Sequence, residues 1–239
     1  MLFNRIIYVR RAFQNGGLRD LDTFEIVING FTNPPTTQPT DSFQVSILYE
    51  NGNDFSEISV YKGNGLFIVS EPSTALTIDA QMKETLTGEM QTEFVITGKM
   101  DRHNPIEKQA YLRVKIPAGF TVEDYDRVAA TCTRLTGFSD EISCEFEKVD
   151  DQRFGNYLIV KGGFDSETFD SLEFSFKIAE LRNPLTTEKS KSFEMQIFDR
   201  TGGLMYTANN EVKLEARPSP FAFVHVESLN PVNGVKAIY

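Results

Sequence analysis

At 239 residues, with 40% hydrophobic and 24% charged side chains, the chain can bury a sizeable core without help from metals or many disulfides. A formal charge of −10 repels phosphate backbones and anionic lipid heads, so nucleic acid is not an expected partner. No run approaches the roughly 18 apolar residues of a membrane span, and no direct membrane contact is expected of this segment.

Twenty Phe and eight Tyr without a single Trp favour pleated, half-buried surfaces over helices. The first apolar stretch, IIYVRRAF (6–13), reads as a strand with an exposed edge, which makes Arg10 and Arg11 surface charges and not a nucleic-acid arm. Arg5 interrupts the start too early for a signal peptide, so either the protein is intracellular or Met1 is not its true beginning. FEIVI (24–28) then alternates with period two and puts Phe24, Ile26 and Ile28 on one face. Asn33-Pro34 stops that strand, because Pro34 lacks a backbone donor and forces Asn33 out of helical geometry. Past Thr36 and Thr37, Ser42-Phe43 opens the next strand, with Phe43, Val45 and Ile47 inward. The glycines of NGNDF and KGNGL read as hairpin turns, not as a phosphate-binding loop.

Further on, TEFVIT (92–97) and AYLRVKI (110–116) are strands, the second with Leu112, Val114 and Ile116 inward. Pro117 and Gly119 end it. The one departure from alternation is TVEDYDRVAATCTRL (121–135), where Val122, Tyr125, Val128, Ala129, Cys132 and Leu135 fall at helical intervals behind a Thr121/Asp124 cap. A short helix is predicted there. ISCEFE (142–147), NYLIV (156–160), LEFSFKI (172–178), FEMQI (193–197) and EVKLE (211–215) return to strands, with Phe174, Phe176, Ile178, Phe193, Met195 and Ile197 inward.

The chain also repeats itself. Aligned at an offset of 150, Phe24–Gly52 and Phe174–Gly202 share ten identities in 29 positions, including Asn33/Asn183, Pro34/Pro184, Thr36/Thr186, Thr37/Thr187, Ser42/Ser192 and Phe43/Phe193. EPST (71–74) meets RPSP (217–220) at an offset of 146, and IIYVRRAF meets YLIVKGGF (157–164) at 151. These spacings divide the chain into 1–72, the C-terminal half of a repeat; 73–218, a complete β-sandwich repeat; and 219–239, the start of another. The expected fold is all-β, an immunoglobulin-like or Greek-key β-sandwich in tandem, with one short helix in the complete copy. In each copy the Asn-Pro…Ser-Phe loop is too long for a tight hairpin and suggests a crossover between sheets. The two flanking pieces are most economically read as parts of a longer array.

Cys132 and Cys144 are twelve positions apart within one copy. Two buried thiols are one reading; the preferred one is a structural disulfide that pins the helical stretch to the next strand, and with it an oxidising compartment. A zinc site would need more ligands than His103 can add, so no metal is expected. Glu123, Asp124 and Asp126, and Asp150 with Asp151, could hold Ca²⁺ between domains but read as solvated surface. His103 and His225 stand in different copies without a nucleophile or carboxylate frame, and no convergent acid, base and nucleophile set is visible. No catalytic residue, no cofactor and no enzyme is expected.

Four separated elements in order, NPIEKQAYLRVKIPAGFTV (104–122), Cys132…Cys144, LIVKGGF (158–164) and LRNPLTTEKSKSFEMQIFDRTGGLMY (181–206), resemble the tandem-repeat β-sandwich modules of large ciliate surface proteins. The resemblance spans the chain. It implies an extracellular, β-rich, non-enzymatic structural or adhesive segment at a cell surface, with neighbouring repeats of the same chain as its first partners. A glycan- or protein-binding module is the alternative it leaves open. Because ciliates read standard stop codons as glutamine, the resemblance also implies that Tyr239 precedes a Gln codon and that Met1 is internal.

Overall fold

In a computed structural model of the chain, the structure describes residues 6–10, 13, 23–30, 32–51, 54–61, 67–90, 92–100, 106–122, 129–150, 153–164 and 172–220. The chain divides into two compact units, Met1–Asn33 and Pro34–Tyr239. In the first, neither 6–9 nor 23–29 forms a strand, although the one is an apolar run and the other alternates as a strand would. Phe13 and Phe24 meet edge to face at 5.6 Å. Phe24, Ile26 and Ile28, expected on a buried face, are exposed. A strand needs a partner ladder, and among the described residues of this unit none is formed.

The second unit is all-β. Its strands are β1 (Val45–Asn51), β2 (Asp54–Tyr61), β3 (Ser73–Met82), β4 (Thr92–Met100), β5 (Tyr111–Lys115), β6 (Thr121–Val122), β7 (Ala129–Ala130), β8 (Cys132–Thr136), β9 (Ser143–Asp150), β10 (Arg153–Lys161), β11 (Glu173–Arg182), β12 (Glu194–Phe198) and β13 (Leu204–Ala208). β1 and β2 form a separate antiparallel hairpin. The other eleven follow one hydrogen-bonded path, β6-β11-β4-β3-β13-β12-β5-β10-β9-β7, with β8 added on β11. All pairings on this path are antiparallel except β13 with β3.

Alternation decides which face is buried. Phe94 and Ile96 of β4, Leu112 and Val114 of β5, Leu158 and Val160 of β10, Phe174, Phe176 and Ile178 of β11, and Met195 and Ile197 of β12 all belong to one core. Strands far apart on the path therefore face each other across it, in a sandwich- or barrel-like arrangement. A Cβ on Gly98 of β4 would stand 2.3 Å from the Phe174 ring and 3.0 Å from Met195 Sδ of β12, so only glycine fits between them. Phe120 bridges the core in the same way, 5.3 Å from Phe94 and 5.5 Å from Phe193.

The helix expected over 121–135 is not what its described residues form. Thr121–Val122 pair with β11, Ala129–Ala130 with β9, and Cys132–Thr136 again with β11; residues 123–128 lie outside the described set. Helical spacing loses to tertiary pairing here, aided by the β-branched residues Thr131, Thr133 and Thr136. The stretch instead closes the sheet, since it leaves β9 near one end of the path and joins β11 near the other. Cys132 and Cys144 form a disulfide across this closure, with Cα atoms 5.8 Å apart. EVKLE (211–215) is also not a strand: Val212 makes an isolated bridge to Phe193, and Val212 and Leu214 pack against the core.

Candidate functional site

The doubled Asn-Pro…Thr-Thr…Ser-Phe stretch has a distinct bonding role at each step. In the complete copy, β11 ends at Arg182 and β12 starts at Glu194, with β4, β3 and β13 between them on the path, so residues 183–193 carry the chain across the fold. Asn183 is buried at the start of this crossing. Its Nδ2 donates to the carbonyls of Glu84 (2.8 Å) and Leu86 (2.9 Å), and its backbone N–H donates to Glu89 O at 2.9 Å. The Thr92 hydroxyl donates to Leu181 O at 2.8 Å and lies 3.3 Å from Asn183 Oδ1. Gly88 N–H then donates to Pro184 O at 3.0 Å. The buried Asn183 thus donates to three carbonyls of the 84–89 loop, while its Oδ1 faces the Thr92 hydroxyl, which ties that loop to the end of β11.

At the far end of the crossing, Ser190 and Leu214 bond reciprocally: Ser190 N–H donates to Leu214 O (2.9 Å) and Leu214 N–H to Ser190 Oγ (3.0 Å). Ser192 Oγ accepts from Val212 N–H at 2.9 Å, and Phe193 buries its ring in the core.

Residues 34–70 contain the aligned segment, and several of these bonds recur there. Thr40 N–H donates to Ile68 O (3.0 Å) and Ile68 N–H to Thr40 Oγ1 (3.0 Å), the same reciprocal pair at aligned positions. Gln38 N–H donates to Thr36 Oγ1 at 3.2 Å, as Glu188 N–H donates to Thr186 Oγ1 at 3.1 Å. The β1–β2 hairpin has an irregularity between Ile47 and Leu48, and the β12–β13 hairpin has one between the aligned Ile197 and Phe198. Burial does not recur: Asn33, Ser42, Phe43 and Val45 are exposed.

Thr36 is the exception. It is buried because residues 36–38 lie against the turn between β12 and β13. Thr37 N–H donates to Leu204 O (2.9 Å), and Leu204 N–H donates back to Thr37 Oγ1 (3.2 Å). The turn is organised by Asp199, whose Oδ1 accepts from Thr201 N–H (2.7 Å), Thr201 Oγ1 (2.7 Å) and Gly203 N–H (2.8 Å). Burial alone would push this carboxyl up; the hydrogen bonds from Thr201 and Gly203, joined by the Thr36 hydroxyl, outweigh it and hold Asp199 below its ordinary value of 3.8. Gly203 is needed for contact, since a Cβ there would stand 2.7 Å from Gln38 Cγ and 2.8 Å from Thr36 Oγ1. Tyr49 occupies the position aligned with Asp199, so the carboxylate belongs to one hairpin only.

Sequence reasoning did not single out Asp199 and Gly203. The available signal was the turn-forming Asp-Arg-Thr-Gly-Gly run, an aspartate that bonds its own backbone followed by paired glycines. His103, His225, Glu123, Asp124, Asp126 and Asp151 lie outside the described residues, and of Asp150 only the backbone is described. Among the described residues, no group of three His, Cys, Asp or Glu could hold a metal ion, and no helix is long and apolar enough to cross a membrane.

No protein-family model matches the sequence, and no curated protein is significantly similar to it. Among solved structures, the chain is similar to the 35 kDa C-terminal fragment of the major pilin GBS80 of Streptococcus agalactiae. The identity is 12% and the TM-score 0.36, over 59% of this chain and 55% of that one. The match thus spans about half the length of the pilin fragment.

Proposed function

We propose that the chain is a non-enzymatic structural or adhesive segment of a tandem array of immunoglobulin-like, Greek-key β-sandwich repeats at a cell surface. The observation that carries this reading is the recurrence of local bonding at aligned positions, above all the reciprocal Thr40–Ile68 and Ser190–Leu214 pairs. A polar contact repeated bond for bond supports two copies of one module placed in series, and modules in series suit load-bearing or spacing. The Cys132–Cys144 disulfide across the sheet closure supports an oxidising, extracellular setting.

The test is made on intact cells that produce the protein. Antibody against residues 73–218 stains unpermeabilised cells, and alkylation before lysis leaves Cys132 and Cys144 unmodified because they are paired. Staining only after permeabilisation, together with alkylated thiols, overturns the proposal.

A further inference from the structure

We infer that the exposed loop at Leu185–Glu188 is a plug that seats on the Asp199–Leu204 turn of another copy of this domain, joining copies head to tail. The inference rests on the array reading above and adds to it the residues that make the joint.

Three observations carry it. The socket is seen occupied: residues 36–38 lie on the Asp199 turn, with paired backbone bonds between Thr37 and Leu204 and the Thr36 hydroxyl on the carboxylate. The socket is also shaped for that occupant, because Gly203 leaves no room for a side chain beneath Gln38 and Thr36. Finally, the complete copy carries the same plug: Pro184, Thr186 and Thr187 repeat Pro34, Thr36 and Thr37, and Thr186 makes the same hydroxyl turn to the residue two positions on. This second plug is exposed, with Leu185 75% accessible. A domain with a socket on one hairpin turn and a plug on one crossing loop makes a heterologous contact, which joins copies head to tail and not as a two-fold pair. The partner is a copy bearing an Asp-x-x-Gly-Gly turn, since the Tyr49 hairpin lacks the carboxylate that receives the threonine.

The experiment uses two full-length chains with distinguishable tags. One carries Thr36→Glu, which places a second carboxylate beside Asp199 and evicts its own plug, together with Leu204→Cys. The other carries Thr187→Cys. On mixing under mild oxidation, the cross-chain disulfide forms about tenfold faster or more than with the same Leu204→Cys chain retaining Thr36, because docking holds the two thiols together. Moving the plug cysteine to Lys189 removes the advantage. If Thr36→Glu lowers the melting temperature of the core, Thr36→Ala with Thr37→Ala opens the socket without added charge. Equal rates with the socket open or occupied, or with Lys189→Cys in place of Thr187→Cys, overturn the inference. Failure of the trap in a protein found oxidised at the cell surface removes this joint and leaves the array reading standing; absence from the surface removes the array reading whatever the trap shows.

Discussion

Phe24–Ile28 and Phe174–Ile178 present the same alternation, yet only the second is a strand. Phe174, Phe176 and Ile178 lie between β4 and β8, and their side chains are at most 1% exposed. Phe24 is 45% exposed, and Phe43, aligned with the fully buried Phe193, is 47% exposed. The aligned local bonds survive in both regions: the threonine turn, the reciprocal serine or threonine pair, the hairpin and its irregularity. Contacts within about thirty residues form from local sequence, whereas burial waits for strands supplied from far along the chain. Pattern is a statement about which face a strand would bury, and partners decide whether it buries anything.

The sharpest way to break this comparison is to truncate the paired rings. Phe193→Ala should cost about 3–5 kcal/mol by opening a cavity against Phe120, while Phe43→Ala should change stability by less than about 0.5 kcal/mol. Urea unfolding followed by intrinsic tyrosine fluorescence checks both. A comparable loss at Phe43 would mean that its region is packed as tightly as its counterpart. The disulfide comes next: replacing Cys132 and Cys144 together by Ser should destabilise the unit by about 3 kcal/mol, since the pair closes a short loop across the sheet closure. Asn183→Ala should cost about 2 kcal/mol, because the buried Asn183 side chain loses both of its Nδ2 hydrogen bonds, to the carbonyls of Glu84 and Leu86. Asn33→Ala, at an exposed position, should be within about 0.5 kcal/mol of neutral.

Much of this was legible in the residues. Period-two alternation located the inward faces of β5, β11 and β12, and Asn-Pro marked the end of β11 because a proline cannot continue the ladder. The stretch 121–135 misled because its apolar spacing is helical, while the pairing that overrides it comes from β9 and β11, whose positions no local window contains. FEIVI misled for the opposite reason, offering a correct strand pattern without a ladder to join. The Asp199 turn was missed because its value depends on Thr36, 163 positions earlier in the chain and opposite it only in three dimensions.

That turn gives the smallest and most discriminating prediction, because the two hairpins differ there in a titratable group. Asp199 is held below its ordinary value of 3.8, and its negative charge strengthens the turn bonds that its Oδ1 accepts. A group whose value is depressed on folding stabilises the protein above its unfolded value and loses that contribution as pH falls through the folded one. The Asp199 contribution should therefore be intact above about pH 4 and disappear progressively below it. Asp199→Asn should cost about 1 kcal/mol at neutral pH, the charge-assisted part of the turn bonds, and the gap to wild type should shrink on acidification. Urea midpoints taken from pH 6 down to pH 2 in both proteins measure this. Tyr49 in the other hairpin supplies no carboxylate, so Tyr49→Phe should leave the same acid profile unchanged. A gap between Asp199→Asn and wild type that stays constant with pH would show that the turn holds by shape alone.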